Sequence, residues 1–305
     1  MTHSDAPKTD IYTRITNQII TSLEQGVKPW TQPWSIPHKD GPVSRPLRHN
    51  GEPYSGINVL TLWASAMGRG FASPTWMTFK QALELGGAVR KGEKGSPVVY
   101  ASTIKRGERD EKTGEDVERD IPYMKAYTVF NIEQIEGLPE RYQVPLETLA
   151  INPDQRITEA EAFFTATGAQ IDHQGHRAYY APVPDQIVLP PFEVFRDAES
   201  YYATLGHECI HWTRHKSRLD RDFGQRRFGD GAYAREELVA EIGAAFLCAD
   251  LKISVEDRGD HAAYVEHWLK VLRDDKRAIF SAAAHAERAC KFLHELQTER
   301  REAAA

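Results

Sequence analysis

No apolar run in this chain reaches the ~18–20 residues that a membrane-spanning helix requires. The amino-terminal MTHSDAPKTD also lacks the basic segment followed by an apolar one that marks a secretory signal. Neither a membrane span nor a leader is therefore expected. Cysteine is scarce: Cys209, Cys248 and Cys290 are odd in number, far apart, and without CxxC spacing. A disulfide framework and a cysteine-based metal knuckle are thus unexpected, and the thiols read as reduced core residues of a cytoplasmic protein with no disulfide-linked partner. Excess positive charge is missing too, since the net charge is −6.

What is present is an ordinary globular composition, 41% apolar and 27% charged over 305 residues, enough for two modules that each bury a core. Charge is unevenly distributed. Between residues 41 and 106 the basic side chains are Arg45, Arg48, Arg69, Lys80, Arg90, Lys91, Lys94, Lys105 and Arg106, opposed by Glu52, Glu84 and Glu93. A basic amino-terminal module joined to an acidic one is a clue to an anionic partner.

Ile11, Ile15, Ile19 and Leu23 recur at four-residue steps and stop at Gly26, predicting an amphipathic helix that opens the first domain. VKPWTQPWSIPHKDGPVSRP is too proline-rich for helix or central strand and reads as an ordered loop holding Trp30 and Trp34. Two short helices are expected in NVLTLWASAMG, capped by Asn58, and TFKQALELGG, capped by Thr78. The period then changes to two in SPVVYASTI and IPYMKAYTVF, with the charged RGERDEKTGEDVERD between them as an exposed hairpin tip. The expectation is an α+β domain over residues 1–140, a linker over 141–155, and a second domain over 156–305. That second domain should begin with a helix capped by the Thr158/Glu161 box, continue through strands in AQIDHQGHRAYYAPVPDQIVLPP, and then be helical at about 197–214, 234–250, 260–273 and 275–297.

LGHECIHWTRH places His207 and His211 four residues apart with Glu208 between them. On a helix, four residues are just over one turn, so both imidazoles can reach one ion while Glu208 lies beside it. Metal-assisted hydrolysis uses this arrangement: imidazoles hold zinc, the metal acidifies water, and the carboxylate takes the proton. One more protein donor is needed. AREELVAEIGAAFLCADL offers Glu236, Glu237 and Glu241 on a largely apolar helix. Either these carboxylates lie at the solvent edge, or Glu237 is the third ligand and Glu241 hydrogen-bonds a ligand histidine. His173, His176, His215 and His285 are rival ligands.

Several longer stretches carry a family resemblance. YTRITNQIITSLEQGVKPW, YSGINVLTLW, TFKQALELGGAVRKGEKG, YTVFNIEQIEGLP, IVLPPFEVF, YYATLGHECIHWTRHKSRLDR, EELVAEIGAAFL and WLKVLRDDKRAIFSAA together resemble the ArdC family of plasmid-borne antirestriction proteins, related to the amino-terminal part of TraC-type plasmid primases. The resemblance covers nearly the whole chain. It implies a single-stranded-DNA-binding domain followed by a zincin-like metallopeptidase domain of gluzincin type, and a role in protecting incoming plasmid DNA from host restriction during conjugation. It also implies His207, His211 and Glu237 as ligands of Zn²⁺, or of another divalent ion such as Mn²⁺, with Glu208 as the base. Glu241 stands where that pattern often has Asp.

A single strand is held without sequence preference by a basic groove along its phosphates and aromatic faces under its bases. Arg45, Arg48, Arg90, Lys91 and Lys94 are the candidate cations, with Gly92 and Gly95 allowing close backbone approach. Trp30, Trp34, Tyr54, Trp63, Phe71, Trp76, Phe79 and Tyr100 are candidate platforms, Tyr54 first among them. Two questions stay open: whether the metal site cleaves a host protein, and whether coating the strand suffices for protection.

Overall fold

The structure, a computed structural model, describes residues 10–30, 44–109, 116–142, 153–224, 231–253 and 262–303. Trp34, the hairpin tip at 110–115, and most of the expected linker, 143–152, lie outside these residues.

Helix α1 (Ile11–Glu24) is capped by the Asp10 carboxylate, which accepts from the amides of Tyr12 and Thr13, and it buries Ile15, Ile19 and Leu23 as its spacing predicts. What those residues meet was not legible from their spacing. The stripe packs against α7 (Ala262–Asp274) and α2 (Ile57–Arg69), the Thr16 hydroxyl donates to the Lys276 carbonyl at 2.7 Å, and Tyr12 meets Phe280. The amino-terminal helix is thereby built into the carboxy-terminal half.

Helix α2 starts at Ile57 after Gly56, so Asn58 is not its cap. The Asn58 side chain instead accepts from the Val99 amide and donates to the Val99 carbonyl, both at 2.8 Å, tying α2 to the sheet. Thr78 does cap α3 (Phe79–Glu84), reciprocally with Gln81. The main sheet has the order β1 (Leu47–Arg48), β2 (Thr75–Thr78), β5 (Asp116–Asn131), β4 (Ser96–Arg109), with β1 parallel to β2 and the rest antiparallel. Strand pairing runs on through Lys105↔Asp120 to Arg109↔Asp116. The charged segment expected as a hairpin tip is thus ribbon over its described residues, 106–109 and 116–120. A small pair, β3 (Ala88–Val89) with β6 (Ile135–Glu136), covers α3.

Helix α4 (Pro153–Thr167) begins before Thr158, so the expected box is interior, and Glu161 instead accepts from the Tyr202 hydroxyl at 2.6 Å. A three-stranded sheet follows in the order β7 (Gln170–His173), β9 (Gln186–Leu189), β8 (Tyr179–Ala181). Next come α5 (Ala198–Trp212), α6 (Gly231–Asp250), α7 and α8 (Ala278–Ala303), close to the predicted spans. The chain is α+β.

One hydrophobic cluster joins the two halves: it contains Ile15, Trp30, Trp63 and Trp76 together with Phe246, Trp268 and Leu293. Trp30 meets Trp268 edge-on at 5.5 Å, and Trp63 meets Phe246 at 6.0 Å. Among the described residues, no helix is long and apolar enough to cross a membrane. The cysteines are free and buried.

Candidate metal centre

Helices α5 and α6 pack face to face, and Gly243 makes the approach close: a Cβ there would lie 2.8 Å from two Ile210 side-chain atoms and 3.0 Å from a third. Asp197 caps α5 by accepting from the Ser200 amide at 2.7 Å, which starts the helix at the register that places His207 and His211 toward α6. Their rings lie 4.9 Å apart. Across from them on α6 is Glu237, and donor atoms of His207, His211 and Glu237 all lie within 4.8 Å of one another.

The two imidazoles are held alike. His207 presents Nε2 to Glu237 at 3.7 Å and Nδ1 to Glu241 at 3.7 Å. His211 presents Nε2 to Glu237 at 3.5 Å and Nδ1 to Glu236 at 3.0 Å. A carboxylate can only accept, so Nδ1 of His211 carries a proton toward Glu236, which leaves Nε2 as the nitrogen turned to Glu237. Separations of 3.5 and 3.7 Å are long for hydrogen bonds but match the ~3.4 Å between two donors that sit ~2.1 Å from one tetrahedral ion. The donor set therefore fits a divalent metal.

Burial disfavours both imidazolium ions, yet the facing carboxylates outweigh it: the Glu237 hydrogen bond and charges raise His207, and Glu237 with Glu236 raise His211 well above the ordinary histidine value. Burial likewise opposes ionisation of Glu237, but His211 and His207 hold it far below the usual carboxylate range. Glu208 is 6% exposed, and among the described residues its carboxylate has no hydrogen-bond partner. A carboxylate beside the donor cluster and uncommitted is suited to take a proton.

Glu236 and Arg221 are the partners that sequence reasoning missed. Both side chains are 1% exposed. Arg221 grips Glu236 with two donors at 2.9 and 2.8 Å and also donates to the Ile210 carbonyl at 2.8 Å and the Thr213 hydroxyl at 3.1 Å. One guanidinium thus closes the end of α5 and fixes the carboxylate that orients His211. Burial would raise Glu236, but Arg221 and His211 prevail and bring it to about 2. The only sequence signal was the doublet Glu236-Glu237, which puts two carboxylates on adjacent faces of one helix; nothing marked Arg221 as their neighbour. The expected bond from Glu241 is longer, 3.7 Å to His207. Tyr233, one turn before Glu237, meets the Tyr264 hydroxyl at 3.3 Å; burial, that hydroxyl and the Glu237 charge all push its own hydroxyl up.

The rival histidines are engaged elsewhere. His173 bonds the Tyr201 hydroxyl at 2.9 Å, His215 bonds Ser217 at 2.7 Å, His285 faces Arg288 and Phe223, and His176 is exposed.

Of the expected strand-binding residues, two are closed off. Arg45 is 8% exposed and donates to Asp250 at 2.6 and 2.8 Å and to Glu287 at 2.7 Å, which holds it in the interior between the halves. Its charge is neutralised by carboxylates, and a phosphate cannot reach it. Tyr54 is 4% exposed beneath the Arg48 guanidinium, 5.5 Å away, so its face is already occupied. Arg48 is half exposed in a loose pair with Glu52 at 3.4 Å. Arg90, Lys91 and Lys94 share an exposed turn around Gly92, where φ is +90°. Glu93 sits among them, paired to Arg90 at 3.0 Å and bonded by Gln134 at 2.8 Å. Gly95 is spent on packing: a Cβ there would lie 2.9 Å from the Val129 carbonyl. Of the aromatic platforms, Trp30, Trp63 and Trp76 are core, while Phe79 and Tyr100 are half exposed.

Two family models match the chain: the N-terminal domain of anti-restriction factor ArdC over residues 9–130, and a zincin-like metallopeptidase over residues 158–285. The fold superposes on the metal-free crystal structure of the antirestriction ArdC protein from the R388 plasmid with a TM-score of 0.78, at 49% identity over 95% of this chain and 98% of that one. This chain belongs to the ArdC antirestriction family. The Mn(II)-bound ArdC structure from R388 gives a TM-score of 0.76 at 48% identity, covering 94% and 98% of the two chains. Protein y4eC of Sinorhizobium fredii (strain NBRC 101917 / NGR234) is 42% identical over 98% of this chain and 97% of its own length. DNA primase TraC of Escherichia coli is 40% identical over 94% of this chain, which spans 27% of the primase. The ArdC and zincin-like segments share one core here, since the cluster described above runs through both.

Proposed function

We propose that this ArdC-family protein binds single-stranded DNA through its amino-terminal segment, taken as residues 1–140, and carries a divalent-metal site for peptide-bond hydrolysis in residues 156–305, the two together protecting incoming plasmid DNA from restriction. One observation carries the hydrolytic reading: His207, His211 and Glu237 converge, and each histidine has its second ring nitrogen turned to a separate carboxylate. Ion pairing alone would not need three carboxylates around two imidazoles. In this reading His207, His211 and Glu237 hold Zn²⁺ or Mn²⁺, which supplies Lewis-acid activation of water and of the scissile carbonyl. Glu208 accepts the water proton and passes it to the leaving amine. Glu236 fixes the His211 tautomer through its Nδ1 proton, and Glu241 steadies His207. The peptide is that of a host protein.

Glu208→Gln separates the parts. The variant is expected to bind metal and oligonucleotide as the parent does, and to lose cleavage of a quenched fluorescent casein substrate by 10²- to 10⁴-fold. Antirestriction in a conjugation assay should fall with it. Cleavage at parental rates would end the hydrolytic reading; full protection with cleavage lost would leave strand coating as the protective act.

A further inference from the structure

With Arg45 and Tyr54 closed off, a single strand needs another surface, and the ribbon of β4 and β5 supplies one. Its register pairs Val98 with Tyr127, Tyr100 with Lys125, Ser102 with Tyr123, and Ile104 with Ile121. Directly paired residues share a face and alternate residues return to it. Tyr127, Tyr100, Lys125 and Tyr123 therefore form one patch. Tyr100 is 53% exposed and Tyr127 37%, against the 0% of Val98 at the base, where α2 lies against β4. Tyr100 and Tyr123 meet at 6.4 Å, and the Lys125 ammonium sits 5.5 Å over the Tyr123 ring.

Tyr100 and Tyr127 are diagonal neighbours, a spacing of ~7–8 Å. That is about twice the 3.4 Å base rise of a DNA strand, so each ring can take one splayed base, with Lys125, across from Tyr100, available to a neighbouring phosphate.

At the other end, Tyr54 is packed where it feels Tyr127 on one side and carries Arg48 on the other. Arg48 forms one wall of a cavity of about 460 Å³ whose other walls include His49, Asn50, Arg141 and Tyr142. Arg141 stacks on Tyr142 at 5.0 Å, and the Tyr142 hydroxyl donates to the His49 carbonyl at 2.9 Å. The cavity is of the size that holds one nucleotide unit. It offers two guanidiniums for phosphate and an exposed amide, that of Asn50, for a base edge.

We propose that single-stranded DNA is held along this track, from a nucleotide in the Arg48–Arg141 cavity to bases stacked on Tyr127 and Tyr100 with a phosphate at Lys125. The proposal deepens the DNA-binding reading and rests on it. It assigns the main contact to residues 48, 100, 125, 127 and 141 and makes the Arg90–Lys94 turn secondary.

The test is fluorescence anisotropy of a labelled oligothymidylate of about 15 nucleotides across a salt series with the full chain. Tyr100→Ala and Tyr127→Ala should each weaken binding about five- to hundred-fold while keeping the salt slope, and Tyr100→Phe should restore it. Arg141→Ala should reduce the salt slope by about one. Melting temperature checks that each variant folds, and cross-linking from iodouracil-substituted oligonucleotide should label peptides containing Tyr100 or Tyr127 even if a variant does not. Parental protein that fails to bind the oligonucleotide refutes the DNA-binding reading itself. Binding that persists in the tyrosine variants, with cross-links mapping to the Arg90–Lys94 turn, refutes the track alone.

Discussion

Glu236 holds two buried groups at once, and its replacement by glutamine puts their demands in conflict. As a carboxylate it accepts from the His211 Nδ1 proton at 3.0 Å and takes both arms of Arg221 at 2.8 and 2.9 Å. Glutamine of the same shape has one acceptor oxygen and one donor amide. If the oxygen takes the Oε2 place on the Arg221 Nε, the amide faces both His211 and the Arg221 Nη2, and the ring must shift its proton to Nε2, the nitrogen that a metal needs. If the oxygen stays on His211, an amide is pressed against a guanidinium. In both cases the buried Arg221 guanidinium loses its counter-charge in the interior. Breaking a buried pair from one side costs about 3–5 kcal/mol. At ~2 °C or more per kcal/mol for a chain of this size, melting should fall by roughly 6–10 °C. Metal affinity should fall about 10- to 100-fold, as for other groups that orient a ligand histidine. Calorimetric titration with Zn²⁺ or Mn²⁺ and thermal melts of the metal-free protein measure the two separately. Glu241→Gln is the control, with a smaller effect expected because its oxygen is 3.7 Å from His207. Glu236→Gln with parental melting and parental affinity would refute the tautomer argument, and an equal loss from Glu241→Gln would show that the two carboxylates are not distinguished.

Two more outcomes follow from the geometry. Gly243→Ala puts a methyl against Ile210, itself 0% exposed, so α5 must retreat from α6; a loss of about 1–3 kcal/mol in urea unfolding and weaker metal binding are expected, and an unchanged midpoint would mean that the helices are not in contact there. Facing carboxylates overcome burial and raise both His207 and His211, so the proton is held at and above the ordinary histidine range and metal must displace it; affinity should climb as pH rises past that range, with proton release in buffers of different ionisation enthalpy, and a flat profile would contradict that competition.

Much of the centre was legible because helical period is local. His207 and His211 had to share a face once α5 formed, and the cap at Thr78 announced itself in the same way. Asn58 and Thr158 had the right chemistry for caps, but Asn58 bridges to Val99 across the fold, and Thr158 lies inside a helix that begins at Pro153. Solvent access of the candidate strand-binding residues was the least legible. Charge and aromaticity identify a residue type suited to a phosphate or a base, whereas access depends on what folds over it.

Sequence alone determined the helix that carries His207, Glu208 and His211, the likeness to ArdC, and the α+β composition, since each is written in spacing or in long shared stretches. Tertiary structure decided that Glu237 lies opposite those histidines, that Glu236 and Arg221 stand behind His211, that Arg45 is sealed between the halves, and that Tyr100 faces solvent. The physical reason is range. Periodicity and capping act within a few residues, but burial and the pairing of charges depend on segments brought together from far along the chain, as Arg45 is with Glu287.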